Sequence, residues 1–180
     1  MVYDYQEILK KLGSRVNIEK ALASGNLFRL RNGVYSESDI VNPMVIISKK
    51  YEGAIITMDS AFYYYNLTDV IPQKVHVATN RNARKINDVE VVQYYVSNDI
   101  LNQGKIQVNI NGNTVNMYNK ERLLIELIRK RASIPFDYYK EIIDNYRQIS
   151  NELDMYKIEE YVSLFKNEVN LFNILQREVF

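Results

Sequence analysis

At Asn119 the spacing of apolar residues changes, and it does not change back. Beyond it, Leu123, Leu124, Leu127 and Ile128 recur at helical intervals. So do Tyr138, Tyr139, Ile142, Ile143 and Tyr146, then Ile158, Tyr161, Val162 and Phe165, and finally Leu171, Ile174 and Leu175. This spacing gathers apolar side chains on one side of a helix. Four one-sided helices are therefore expected over residues 119–180, packed on each other and on a sheet. Before Asn119 the dominant period is two. Val75 and Val77 alternate with Lys74, His76 and Ala78, and a second strand is expected over Val89–Val96. Ile106, Val108 and Ile110 alternate with Gln107 and Asn109, Asn111-Gly112 turns the chain, and Val115 and Met117 return. An Asn-Gly pair between alternating runs is a strong hairpin signal. Between residues 38 and 74 the signals are mixed. Pro43 suits the first turn of a helix to about Lys50, Ala54–Ile56 reads as a short strand, and Thr57 is placed to cap a helix through Tyr65. The class is α+β, with a mixed-sheet domain over 38–180 that ends in the four-helix segment.

The first 37 residues read as a separate small module. Asp4 caps a short helix carrying Tyr5, Ile8, Leu9 and Leu12, and Gly13 stops it. After a turn, Asn17 caps a second short helix with Ile18, Ala21 and Leu22 on its apolar side, and Gly25 ends it. Leu27–Arg31 and Val34–Tyr35 then flank Asn32-Gly33, a tight hairpin. Helix, turn, helix, hairpin is the order of a winged helix-turn-helix.

Several function classes are excluded by composition. The chain has no cysteine and a single histidine, His76, so disulfides, zinc-thiolate sites, cysteine nucleophiles and multi-histidine metal sites are ruled out. His76 lies between two valines with no nucleophile or carboxylate pattern beside it, and reads as a sheet-face residue. Gly13-Ser14 resembles the triphosphate-holding pair of nucleotidyltransferases. The carboxylate pairs Glu37/Asp39, Asp88/Glu90 and Glu152/Asp154 fall in the wrong places for their magnesium ligands. No enzyme, cofactor or metal is expected. No apolar run reaches the roughly 18 residues of a membrane span, and the N-terminal MVYDYQEILKK lacks the pattern of a signal peptide. A cytoplasmic location and no membrane partner are expected.

Three segments resemble the AbiEi antitoxins and their solitary relatives. They are Arg29–Tyr35 (RLRNGVY), Ser60–Thr79 (SAFYYYNLTDVIPQKVHVAT) and Tyr118–Arg131 (YNKERLLIELIRKR). The chain departs from the family pattern twice. The family's winged helix has a further helix before the one at Asp4–Leu12, and Glu126 stands where the family often has aspartate. The resemblance implies a transcriptional repressor that binds repeats in its own promoter and counteracts a partner nucleotidyltransferase toxin. Its expected partners are double-stranded DNA and that toxin, with a homodimer open. The rival expectation is a protein-binding antitoxin or solitary interaction module whose winged helix is vestigial.

The charge pattern nominates the contacts. Residues 1–36 hold six basic side chains (Lys10, Lys11, Arg15, Lys20, Arg29, Arg31) against three acidic ones (Asp4, Glu7, Glu19), while the rest of the chain is slightly acidic. Lys20 and Asn17, on the second helix, are candidates for base edges or phosphates. Arg15 in the turn, Arg29 and Arg31 on one face of the first wing strand, and Asn32 at its tip are candidates for the phosphate backbone. Arg81, Arg84 and Lys85 form a second basic cluster in the loop Asn80–Asn87, suited to flanking DNA or an acidic partner.

Overall fold

The computed structural model describes residues 1–180. It is α+β, with nine α-helices and two sheets. Two compact units divide the chain: Met1–Ala54 with Gln107–Asn116, and Ile55–Ile106 with Met117–Phe180. No helix is long and apolar enough to cross a membrane.

The first unit opens on a strand that the sequence pattern did not announce, β1 (Val2–Asp4). Helices α1 (Tyr5–Leu12) and α2 (Arg15–Ala23) follow, then strands β2 (Phe28–Arg31) and β3 (Val34–Ser36) and helix α3 (Pro43–Lys50). Asp4 does cap α1: its carboxylate accepts from Glu7 N–H at 2.9 Å, and Glu7 accepts from Asp4 N–H at 2.8 Å. Two otherwise orphaned amides are satisfied reciprocally. Gly13 ends the helix at φ 78°, a conformation that costs other residues a Cβ clash.

Helix α2 begins three residues earlier than expected. Ser14, not Asn17, is its cap, and the Ser14 Oγ accepts from Asn17 N–H at 3.2 Å. Ile8, Ile18, Leu27 and Tyr35 are buried together, with Tyr3, Leu9, Leu12, Ala21 and Leu22 packed around them. This small core locks both helices onto the antiparallel sheet, whose order is β1-β3-β2.

Two expectations for this unit need correction. The boundary expected at residue 37 is not where the unit ends, because α3 packs on β1 and β3. In addition, Val2 N–H donates to Asn113 Oδ1 at 2.9 Å. Nor do Arg29 and Arg31 share a face. The register slips between them, so that Arg29 pairs with Tyr35 and Arg31 with Val34. Adjacent residues of β3 point to opposite sides, and their partners follow.

The second unit contains β4 (Ile55–Ile56), α4 (Met58–Tyr64), β5 (Val75–Asn80), β6 (Val91–Val96) and α5 (Asn98–Leu101). In chain order the hairpin β7 (Lys105–Ile110) and β8 (Asn113–Tyr118) comes next, its residues Gln107–Asn116 belonging to the first unit, and the second unit resumes with α6 (Lys120–Lys130), α7 (Phe136–Gln148), α8 (Met155–Ser163) and α9 (Glu168–Glu178). The five-stranded sheet has the order β6-β5-β4-β8-β7. It is mixed: β4 runs antiparallel to β5 but parallel to β8, and β5 runs parallel to β6. At the hairpin turn both Asn111 (φ 51°) and Gly112 (φ 80°) take positive φ, as a two-residue turn that matches strand twist requires. Strand β6 starts at Val91 rather than Val89, whose side chain is 84% exposed in the preceding loop.

The four expected C-terminal helices are present, but α6 is not one-sided. Every residue from Glu121 to Ile128 is buried, because α4, α8 and α9 all pack on this helix. Its charged residues therefore lie in the core. Arg122 is fully buried and donates from Nε (3.2 Å) and Nη2 (2.7 Å) to Glu126 Oε1.

Gly104, at φ 77°, lies against the same arginine. A Cβ added there would sit 2.5 Å from Arg122 Cβ. Gly104→Ala is expected to cost about 2–4 kcal/mol, combining the left-handed backbone penalty with overpacking against a buried side chain. An unchanged urea midpoint for this variant would contradict the packing described.

Candidate nucleic-acid interface

In the first unit the beginning of α2 and the β2–β3 turn border a shallow cleft of about 320 Å³. Three of the nominated side chains, Arg15, Arg29 and Asn32, line it together with Tyr5, Glu19 and Tyr35. The elements account for this. Ser14 starts α2 early enough to place Arg15 in its first turn. Gly33, at φ 78°, folds Asn32 back toward it. Arg29 projects from β2 over Tyr35, its guanidinium 5.4 Å from the ring centre and within 3.2 Å of the tyrosine hydroxyl. Tyr35 is rooted in the core and 3% exposed, so this stacking restricts the arginine without burying it.

Arg15 is largely solvated and only loosely paired, with Nε 3.9 Å from Glu19. An exposed contact of this length has little energetic value. The guanidinium remains free to turn toward an anion.

Three of the unit's acidic groups, Asp4, Glu7 and Glu37, are paired away from the cleft. Lys49, on α3, lies 2.5 Å from Glu7 and 3.9 Å from Asp4. Lys11 binds Glu37 and also reaches the Tyr3 hydroxyl at 2.6 Å. The hydrogen bond to Lys11 holds the Glu37 carboxyl below its ordinary pKa, and Glu37 in turn raises that of Lys11. Lys10, Lys20, Arg15 and Arg29 take no part in these pairs.

The other nominated residues do not line the cleft. Asn17 is exposed, but its amide donates to Leu12 O at 2.7 Å and so fastens the turn between the helices. Lys20 lies further along α2 on its exposed side. Arg31 is half-buried. Sequence reasoning missed two members of this surface. Tyr5 packs toward Tyr35 with ring centres 6.4 Å apart. Val16 lies on α2 with 62% of its surface exposed. Had the helix been started at Ser14, Val16, Lys20 and Ala23 would have read as one exposed ridge.

In the second basic cluster, Arg81 lines a cleft of the second unit while Arg84 and Lys85 stay exposed on the loop. Gln93 holds that loop, donating to Thr79 Oγ1 (2.8 Å) and Arg84 O (3.2 Å) and accepting from Ile86 N–H (2.7 Å).

His76 is less isolated than its strand position suggested. Its Nδ1 lies 3.1 Å from the Tyr94 hydroxyl, and its Nε2 lies 3.6 Å from Asp59. Burial lowers its pKa from the ordinary 6.5, with Lys74 adding to the effect and Asp59 opposing it. Burial also pushes the Tyr94 hydroxyl up to about 12. The unfolded chain therefore binds a proton at His76 more readily than the folded one. Stability should fall as pH drops from about 6.5 through the lower folded-state value. Unfolding free energies at pH 7 and pH 5 are expected to differ less in His76→Gln than in the wild type, and equal differences would contradict this.

No group of three or more His, Cys, Asp or Glu side chains is placed to hold a metal ion. Compared with protein-family models the chain matches none, and no curated protein matches it.

Proposed function

We propose that this chain is a DNA-binding transcriptional regulator of the antitoxin type, with residues 1–37 as the reader. In this reading α1, the Gly13-Ser14 turn and α2 form a helix-turn-helix, and β2–β3 is its wing. The observation that carries it is the convergence of Arg15, Arg29 and Asn32 on one cleft between the second helix and the wing. A second helix of this kind enters the major groove, and the wing follows the backbone. The solvated ridge of α2 then offers Val16 for apolar contact with a thymine methyl and Lys20 for a guanine edge or phosphate. Arg15 and Arg29 neutralise phosphates, which sets position and affinity rather than sequence choice.

The resemblance of the wing, the Ser60–Thr79 block and the Tyr118–Arg131 helix to the AbiEi antitoxins supports a promoter as the target. It also supports a nucleotidyltransferase toxin as a protein partner, and a cytoplasmic site of action. The test is a salt titration of binding to the chain's own promoter DNA. Binding by this route weakens steeply with salt, and flat or absent binding together with retained capture of an adjacently encoded toxin favours the protein-binding alternative.

A further inference from the structure

The second unit holds a cleft that the DNA-binding reading does not use. It has a volume of about 280 Å³, near the lower end of pockets that take small molecules. Its walls come from the β4–α4 turn, strands β5 and β6, and the end of α6.

Three cations line it: Arg81, Arg129 and Lys130. One carboxylate, Glu126, lines it too. That carboxylate already accepts two hydrogen bonds from the buried Arg122, and Arg129 Nη1 lies 3.1 and 2.9 Å from its two oxygens. Two guanidiniums thus share one carboxylate, leaving a full positive charge over. Lys130 sits 4.8 Å above the Tyr94 ring. Arg81 anchors only by its backbone, donating N–H to Val96 O at 2.7 Å, while its side chain is exposed at the cleft. The result is a concentration of uncompensated positive charge around a concavity, in a chain whose net charge is only +1.

Two further features point to a ligand. Met58 is 2% exposed yet holds φ 45°, a left-handed backbone that non-glycine residues avoid. Strain of this kind persists where the surrounding structure enforces it, and it concentrates at functional sites. The hydroxyls of Thr57 and Ser97, both on the lining, make no capping bond to the helices they precede. The apolar wall is completed by Ile100 and by Tyr94, whose hydroxyl is held by His76.

We propose that this cleft binds a small phosphate monoester carrying a flat ring, of the size of a nucleoside monophosphate. Arg81, Lys130 and Arg129 hold the phosphate, and the Ile100 and Tyr94 surfaces take the ring. The site is distinct from the proposed DNA reader and stands independently of it.

Calorimetric titration with the four common nucleoside 5′-monophosphates tests this, with the matching nucleosides, inorganic phosphate and a short DNA duplex as comparison arms. At least one monophosphate is expected to bind saturably and at least about tenfold more tightly than its nucleoside, since charge-assisted phosphate contacts carry the difference. Arg81→Ala and Lys130→Ala, both at solvent-accessible positions, should each weaken it by about tenfold with an unchanged thermal midpoint. Duplex binding should be unaffected by either change. The proposal is overturned if no monophosphate binds better than its nucleoside, or if neither substitution weakens binding. It is also overturned if Arg81→Ala weakens the duplex and not the monophosphate, which would make the cleft a DNA-backbone contact.

Discussion

Arg15→Glu combined with Arg29→Glu is expected to weaken binding to the chain's own promoter DNA by at least about a hundredfold near 0.1 M salt. Each phosphate contact releases condensed counterions worth roughly a factor of ten at that salt, and reversal adds repulsion. The logarithmic salt slope should also become shallower by about two, at roughly 0.9 per lost contact. Both side chains are exposed, and neither belongs to the small core of Ile8, Ile18, Leu27 and Tyr35, so the fold should survive the changes. A preserved thermal midpoint makes the comparison clean. Val16→Ala is the contrasting case. It removes an apolar contact without charge, so the salt slope should hold while discrimination between promoter and random DNA falls. Undiminished binding by the double reversal would end the reader assignment. Absent DNA binding in the wild type, with retained toxin capture, would transfer it to the rival.

The second large effect concerns stability. Arg122 has a side chain with 0% exposure and Glu126 one with 5%, at 2.7 Å, in the middle of the central helix. Removing Glu126 strands Arg122 in a poorly solvated core, and removing Arg122 leaves the buried Glu126 with Arg129 as its one remaining cation. Arg122→Met and Glu126→Leu are each expected to cost about 3–5 kcal/mol. Arg122 loses more than its ion pair, since it also donates from Nη1 to Ile100 O at 3.3 Å and lies 5.0 and 5.3 Å from the Tyr118 and Phe165 rings. Replacing both together, as Arg122→Met with Glu126→Leu, keeps volume and strands no charge within the pair, so the loss should be far smaller than the two single losses added. Urea unfolding of the four proteins measures the coupling directly. Strict additivity would show that the pair does not act as a unit.

The elements most readable in the sequence are those governed by a residue's near neighbours. The Asp4 cap, Gly13, the Asn111-Gly112 turn and the four C-terminal helices all follow from backbone preferences and spacing within a few residues. The misreadings have physical causes as well. Asn17 and Ser14 are both good caps, and the nearer apolar stripe drew the helix start to the wrong one. The register slip after Arg29 moves Arg31 to the other face, which a period-two count has no means to register. Of the nominated contacts, Arg15, Arg29 and Asn32 converge, whereas Asn17 is occupied with the Leu12 carbonyl.

What the residues determined alone was local: the α+β class, where most turns fall, and the excess of positive charge near the N-terminus. What the tertiary structure alone decided was who covers whom. Three residues, Val2–Asp4, carry no pattern strong enough to mark a strand, and they become one because β3 offers an edge. Glu121, Arg122 and Glu126 look like the solvated side of an amphipathic helix, and they are interior because α8 and α9 close over α6. An apolar stripe states which side must be buried. It is silent on whether the polar side will be buried too, since that depends on elements tens of residues away.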